Sequence, residues 1–366
     1  MRNIKVAHPS IEDAEIDAMA EVVRSGFLCQ GKNVKEFEAK FAKYIGTKYA
    51  VAVNGGTAAL HLALLSIGVG PADEVIVPSM SFFATVEAIL YTGATPVFCD
   101  VDEYCNINTY HASNLINKKT KAIIPVHLYG MPCDMKELCR IANATGVHII
   151  EDAAQAHGAA INNRKVGSFG TAGCFSFFAT KNMTTMEGGI ITTNDSDIAY
   201  MCEKLRCHGM TDRDTHRYLG YNYKMPDASA ALGIHQLAKL DNMNATRRKH
   251  SIRIIESLKG SKTLFPHVPK EGYLHAYFWC PVYVNERRLG MTTDEFRKEL
   301  QSNHGIGTRH RYNVPLYKQP VLDGAYSKLM LSGAERYSGK MIGLPNHPGM
   351  TDEDTDYIIK VLGEYK

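Results

Sequence analysis

The chain has 366 residues, of which 45% are hydrophobic and 22% charged, with a net charge of +3. That is the composition of a globular chain long enough for a large core and, on length alone, roughly two domains. No run of five or more basic residues points to nucleic acid or an anionic membrane, and no stretch approaches the roughly 18 apolar residues of a membrane span, so a small ligand and a cytoplasmic setting are expected.

The first stretch, MRNIKVAHPSIEDAEIDAM, lacks the apolar centre of a signal peptide; instead Ser10 with Asp13 predicts a helix to about Arg24. Asn33 with Glu36 predicts a second helix to about Tyr44, with GFLCQGK as the loop between. From Tyr49 short apolar runs alternate with amphipathic stretches. YAVAV precedes NGGTAALHLALLSIG, EVIVP precedes a helix from about Phe82 to Tyr91, and PVFCD, KAIIPVHLYG, MKELCRIANATG, VHIIED, GCFSFF and GGIITT follow. That alternation predicts an α/β fold with a mostly parallel sheet flanked by helices, whose ligands gather beyond the carboxyl ends of the strands. Asn194 or Ser196 caps a helix running to about His208, and a long helix from about Asp227 to Leu258 leads into a smaller C-terminal α+β domain. The expected division is 1–240 and 241–366. In the second part YFWCPVYV reads as strand, with capped helices at Thr292/Glu295 and Thr351/Asp354. Nine cysteines, at 29, 99, 105, 133, 139, 174, 202, 207 and 280, form no C-x-x-C pair, so buried reduced thiols are expected rather than disulfides or zinc.

The chemistry-bearing stretch is CFSFFATKNMTTMEGG, residues 174–189, where Lys181 follows a buried run directly. Burial disfavours the ammonium form, and a free amine is what attacks a carbonyl to make a Schiff base, which points to pyridoxal 5'-phosphate. A lone lysine is more often a plain loop residue. Three further motifs weigh against that. Asn54-Gly55-Gly56-Thr57 opens a helix after a strand, which suits a phosphate held by backbone N–H groups and the Thr57 hydroxyl, although a glycine turn with a threonine cap explains it equally well alone. The motif is neither a Walker loop nor G-x-G-x-x-G. Asp152, ending VHIIED, can keep a pyridine nitrogen protonated, the alternative being a helix cap. Ser176 offers a second phosphate hydroxyl, and Phe82 a face for a flat ring, although core packing is the commoner fate of phenylalanine.

With these motifs in view the chain resembles the DegT/StrS-type sugar-nucleotide aminotransferases, fold-type I pyridoxal phosphate enzymes, over almost its whole length. The likeness runs through GFLCQGKNVKEFEAKFAKY, NGGTAALHLAL, PADEVIVPSMSFFAT, GATPVFCDVD, VHLYGMPCDM, IIEDAAQAHGA, FSFFATKNMTTMEGG, LRCHGM, LGYNYKMPD and LPNHPGMTDED. The resemblance implies Lys181 as the cofactor lysine and as catalytic base and acid, Asp152 at the pyridine nitrogen, Gln155 near the ring hydroxyl and Phe82 on the ring face. It also implies Gly56, Thr57, Ala58 and Ser176 around the phosphate, with Asn222 reaching the partner subunit's site in a homodimer. Phe27, Arg309, His310, Tyr312 and Tyr317 are the candidate substrate residues, and no metal is expected. Two positions depart from the family pattern: Met186 stands where T-x-G-E-G-G has glycine, and Tyr317 where histidine often follows Pro-Leu.

The activity implied is transfer of an amino group from L-glutamate to a keto group of a nucleotide-linked deoxysugar. A 4-keto-6-deoxyhexose on GDP, UDP or dTDP is favoured, giving a 4-amino sugar, and a 3-keto sugar is the runner-up. Lys181 argues against the dehydratase branch, which carries histidine there. A cofactor-binding regulator would need an appendage for a partner or for DNA, and none is visible in the sequence.

Overall fold

The computed structural model describes residues 2–366. Its centre is a seven-stranded sheet, ordered Tyr49–Val53, Gly189–Thr193, Ala172–Ser176, His148–Asp152, Thr120–Ile123, Glu74–Pro78 and Thr95–Cys99. Only Gly189–Thr193 runs against the rest, antiparallel to both of its neighbours. The other contacts are parallel, as expected for strands whose apolar side chains are buried on both faces; Val75, Ile76 and Val77 have no exposed surface. The six parallel strands therefore all end at one edge, and Val53, Pro78, Asp152 and Ser176 hand the chain to loops on that edge.

The helix Gly56–Ser66 is buried on nearly every side, from Ala58 to Leu64, and packs under the sheet. On the opposite face Phe37 and Phe41 of the helix Lys32–Ile45 meet Phe175 and Phe177 edge to face at 5.0–5.4 Å. Each such phenylalanine contributes about 1.5–3 kcal/mol by leaving water. The long helix Asp227–Ser257 gives Leu240 to this core and Ile254 to a second one, built on the antiparallel strands Leu264–Pro266, Cys280–Val284 and Met341–Leu344. The division expected at 240/241 falls inside this unbroken helix.

Several helix starts differ from the sequence expectation. The first helix, Asp13–Ser25, is capped by Glu12 in a box with Glu15, not by Ser10. The second begins at Lys32 with glycine at its cap. Its N–H groups are satisfied from far along the chain, where the buried Asp227 carboxylate accepts from Gly31 N at 2.9 Å and Val34 N at 3.0 Å. The helix expected from Phe82 starts at Ala84, and Ser196–Arg206 is capped by Asp195, between the two residues considered. The boxes at Thr292/Glu295 and Thr351/Asp354 form as expected. Among the described residues no helix is long and apolar enough to cross a membrane, and all nine cysteines are free thiols.

Candidate active site

Lys181 sits on a loop that the strand end itself shapes. Past Ser176, Phe177 N donates to the Gly188 carbonyl at 2.8 Å while its own carbonyl accepts from Thr185 N at 3.0 Å, and Lys181 N closes a turn onto Phe178 O at 2.9 Å. The buried Asn182 pins the next position, donating to Asn244 Oδ1 and to the Ala276 carbonyl, both at 2.8 Å. Met186 takes φ +67° in this loop, the left-handed region that the glycine of the resembling pattern occupies without strain, and its N–H donates to Thr184 Oγ1 at 2.9 Å. The methionine side chain is exposed, so the departure from glycine clashes with nothing and its cost lies in the backbone conformation.

The lysine is half-buried, with Nζ 4.8 Å from the centre of the Phe278 ring. Burial pushes its ammonium down to about 8; Arg309 and Arg311 push the same way, and the Asp152 carboxylate opposes them. Asp152 is itself 5% exposed, with Oδ2 accepting from Thr85 Oγ1 at 2.9 Å and Oδ1 from Ala154 N at 3.1 Å. Burial raises its carboxyl, so a cation beside it is favoured. Its neighbour Glu151 points away from Lys181 into structural bonds, accepting from Gly167, Phe169 and Gly170 N at 2.7–2.8 Å and lying 3.1 Å from His127 Nε2.

The helix Gly56–Ser66 has no side-chain cap at Gly55, which leaves its first N–H groups, Thr57 and Ala58 among them, free to meet an anion. Ser176 lies directly across; a Cβ added to Gly56 would stand 2.7 Å from that of Ser176. Gln155 is held at both ends of its amide, accepting from Tyr129 N and donating to Tyr312 Oη, each at 2.9 Å. Tyr312, at φ +64°, joins a stack with Trp279 and Tyr129. Phe82 is 55% exposed and lines an open groove with Ser81, Arg311 and Tyr312, so its face is available rather than lost to a core.

The remaining candidates divide. Arg309 lines the same narrow pocket as Lys181. His310 instead has both ring nitrogens engaged, Nδ1 by Asp294 and Arg297 and Nε2 by the Gly339 carbonyl, so it fastens a loop. Tyr317 is 2% exposed; it packs against Phe98 in the core, and its hydroxyl donates to Glu335 at 2.6 Å, which removes it from any ligand surface. Phe27 is 83% exposed, in a surface groove with Val22, Asp227 and Ile234 that shares no residue with the Lys181 pocket. Asn222 bridges Cys207 through its backbone, and its side chain is exposed.

Sequence reasoning missed Thr85, which donates to Asp152, and Arg247, a buried arginine in the wall of the Lys181 pocket. Thr85 had a usable signal, a hydroxyl three residues beyond Phe82 at the same strand end; Arg247, in the helical run TRRKH, had none.

These residues fit pyridoxal phosphate. Lys181 supplies an amine of depressed pKa, Asp152 a buried carboxylate in want of a cation, and Gly56 to Ala58 with Ser176 a cradle of N–H and hydroxyl donors that a Cβ at Gly56 would fill. The profile of the DegT/DnrJ/EryC1/StrS aminotransferase family matches residues 9–363. The chain belongs to that family. A GDP-perosamine synthase of Caulobacter vibrioides is 38% identical over 99% of this chain and 98% of its own length. The DesV structure from S. venezuelae, in complex with a ketimine intermediate, has a TM-score of 0.91 at 34% identity, covering 96% of this chain and 94% of DesV. The Streptococcus pneumoniae protein Spr1654 in its PLP form also superposes with a TM-score of 0.91, at 28% identity, covering 100% of this chain and 98% of that one. The aminotransferase fold implied by the sequence is thus the fold observed.

Proposed function

We propose that this aminotransferase moves an amino group from L-glutamate to the 4-keto carbon of a nucleotide-linked 6-deoxyhexose, yielding a 4-amino sugar. The observation that carries the reading is the convergence of Lys181, Asp152 and the uncapped helix start at Gly56 on one edge of the sheet, in a chain 38% identical to a GDP-perosamine synthase. Pyridoxal phosphate, when bound, supplies the aldehyde and the electron sink.

The protein supplies the rest. Thr57, the Ala58 N–H and Ser176 hold the phosphate; the face of Phe82 carries the ring; Gln155, fixed by Tyr129 and Tyr312, keeps the ring hydroxyl oriented. Asp152 holds a proton on the pyridine nitrogen through charge. Lys181 Nζ would take the proton from the substrate carbon and deliver it to the carbon on the far side of the transferred nitrogen, a task suited to an amine whose pKa lies at about 8. Tyr312 and Arg309 face the substrate. The active unit is a closed homodimer in which Asn222 reaches the partner subunit's cofactor phosphate, and the exposed Phe27 and Leu219, 83% and 88% accessible in the single chain, favour a covered surface.

Incubation with L-glutamate and a panel of GDP-, UDP- and dTDP-linked 3-keto and 4-keto deoxysugars, with product mass and NMR, tests this. A 4-amino product supports the reading; exclusive amination at carbon 3, or of a free sugar, overturns it.

A further inference from the structure

His267, just past the strand Leu264–Pro266, is 5% exposed, yet neither of its ring nitrogens has a hydrogen-bond partner. Burial pushes the imidazole down to about 4, so at neutral pH it is uncharged and presents one N–H donor and one acceptor nitrogen. A buried polar group left unpaired is costly, and something that enters the protein from outside can remove that cost. The His267 ring lies edge to face with Tyr104 at 5.7 Å, in the wall of a cavity of about 360 Å³. One side of the cavity is the loop after the strand Thr95–Cys99, which brings Glu103 and Tyr104; the other is the C-terminal sheet, which brings Phe265 and Tyr283. It shares no residue with the Lys181 pocket or with the groove beside Phe82. The Tyr129 ring links the two regions, 6.0 Å from that of His267 and 5.9 Å from that of Tyr312.

Size and walls select the ligand. The volume falls at the small end of the range for small-molecule sites, roughly 300–1,000 Å³, which suits one ring system with a short tail. Tyr104, Phe265, Tyr283 and Tyr337 offer ring surfaces that a flat ligand covers well. A cationic ligand is disfavoured, because Arg336 already lies 5.3 Å over Tyr337 and 6.0 Å over Tyr283, and Lys270 lies 5.1 Å over Tyr104. The same cations favour an anionic tail, and a guanidinium fork matches a phosphate in two parallel bonds. A nucleobase edge carries N–H and carbonyl groups side by side, which is what the His267 ring lacks, and the exposed Glu103 carboxylate supplies an acceptor for sugar hydroxyls. We propose that this cavity binds a nucleotide, its base among the tyrosines within reach of His267 and its phosphate at Arg336, as a second small-molecule site separate from the site of amination. The inference does not depend on which sugar is aminated.

The test uses the holoenzyme with 8-azido-GMP and 5-azido-UMP as photoprobes. Irradiation and peptide mapping should place a label from at least one probe on the peptide holding Tyr104 or the one holding Tyr283. Excess of the parent nucleotide should protect that peptide, while its nucleoside should protect roughly tenfold less well, reflecting the missing phosphate. Arg336→Ala, a change at an exposed position, and His267→Phe, which keeps a ring without its nitrogens, should each cut the label roughly tenfold. Turnover with L-glutamate and a keto sugar should stay within roughly twofold of wild type in both. No label on either peptide, or an undiminished label in Arg336→Ala, overturns the proposal. Protection by the nucleoside equal to that by the nucleotide, or by pyridoxal 5'-phosphate equal to either, contradicts the assigned ligand. Turnover lost together with the label in Arg336→Ala would make the cavity part of the amination site and contradict its separateness. If the wild-type protein aminates no keto sugar, the functional reading fails, while the labelling result still decides this proposal.

Discussion

Thr85 Oγ1 lies 2.9 Å from Asp152 Oδ2 and 2.9 Å from Ser81 Oγ, so Ser81 donates to Thr85 and Thr85 donates to the carboxylate. Thr85→Val keeps the shape and removes the hydroxyl, costing about 1–3 kcal/mol of support for a buried charge. The Asp152 carboxyl, already raised by burial, loses a bond that lowers it, so its pKa should climb further. The acid limb of the kcat/KM profile should then move to higher pH, and kcat at neutral pH should fall by roughly tenfold. Asp152→Asn, which removes the charge itself, should lose orders of magnitude with the fold intact. An unshifted acid limb in Thr85→Val would show that this bond does not tune the site.

The depressed pKa of Lys181 sets a second expectation. Its ammonium is pushed to about 8, so the free amine should accumulate about tenfold per pH unit up to that value and then level off, where an ordinary lysine keeps climbing beyond 10. Stopped-flow capture of pyridoxal phosphate by the cofactor-free protein reads this directly. Asp152 opposes the depression, so Asp152→Asn should move the break to lower pH; a break moving upward would reverse the assigned electrostatics.

Met186→Gly tests the left-handed turn behind the lysine. Removing the side chain at φ +67° should relieve about 1 kcal/mol of backbone strain, visible as a higher urea midpoint, with activity kept. A lower midpoint would mean that the methionine side chain contributes more than its strain costs.

What was legible beforehand follows a physical division. Strands such as Glu74–Pro78 and His148–Asp152 announce themselves as apolar runs, and the strand-end location of Lys181, Asp152 and Gly56 follows from their alternation with helices. Tertiary partners are not written locally. The helix Lys32–Ile45 takes its cap from Asp227, 196 residues beyond Gly31, so a local Asn-x-x-Glu spacing misplaced its start. Tyr317 looked like a substrate residue from the segment around it, but packing against Phe98 and a bond to Glu335 draw it into the core. Arg247 was invisible because unpaired burial is a property of the folded neighbourhood, not of TRRKH.

Asn222 carries the prediction of a shared site. Lys181→Ala and Asn222→Ala chains, each inactive alone, should form hybrids on co-refolding in which one site bears both lesions and the other is intact, returning part of the wild-type activity. Hybrids that form and restore nothing would place both residues in the same chain's site.

The central claim is that Lys181 is the lysine that holds the cofactor, and borohydride reduction of the holoenzyme followed by peptide mapping tests it most directly. The account predicts a pyridoxyl label on Lys181 in the peptide around FATKNM, and in Lys181→Ala a cofactor that dialyses away unlinked with turnover lost by orders of magnitude. A stoichiometric label on any other lysine, or a Lys181→Ala variant that is still labelled and turns over, would contradict it.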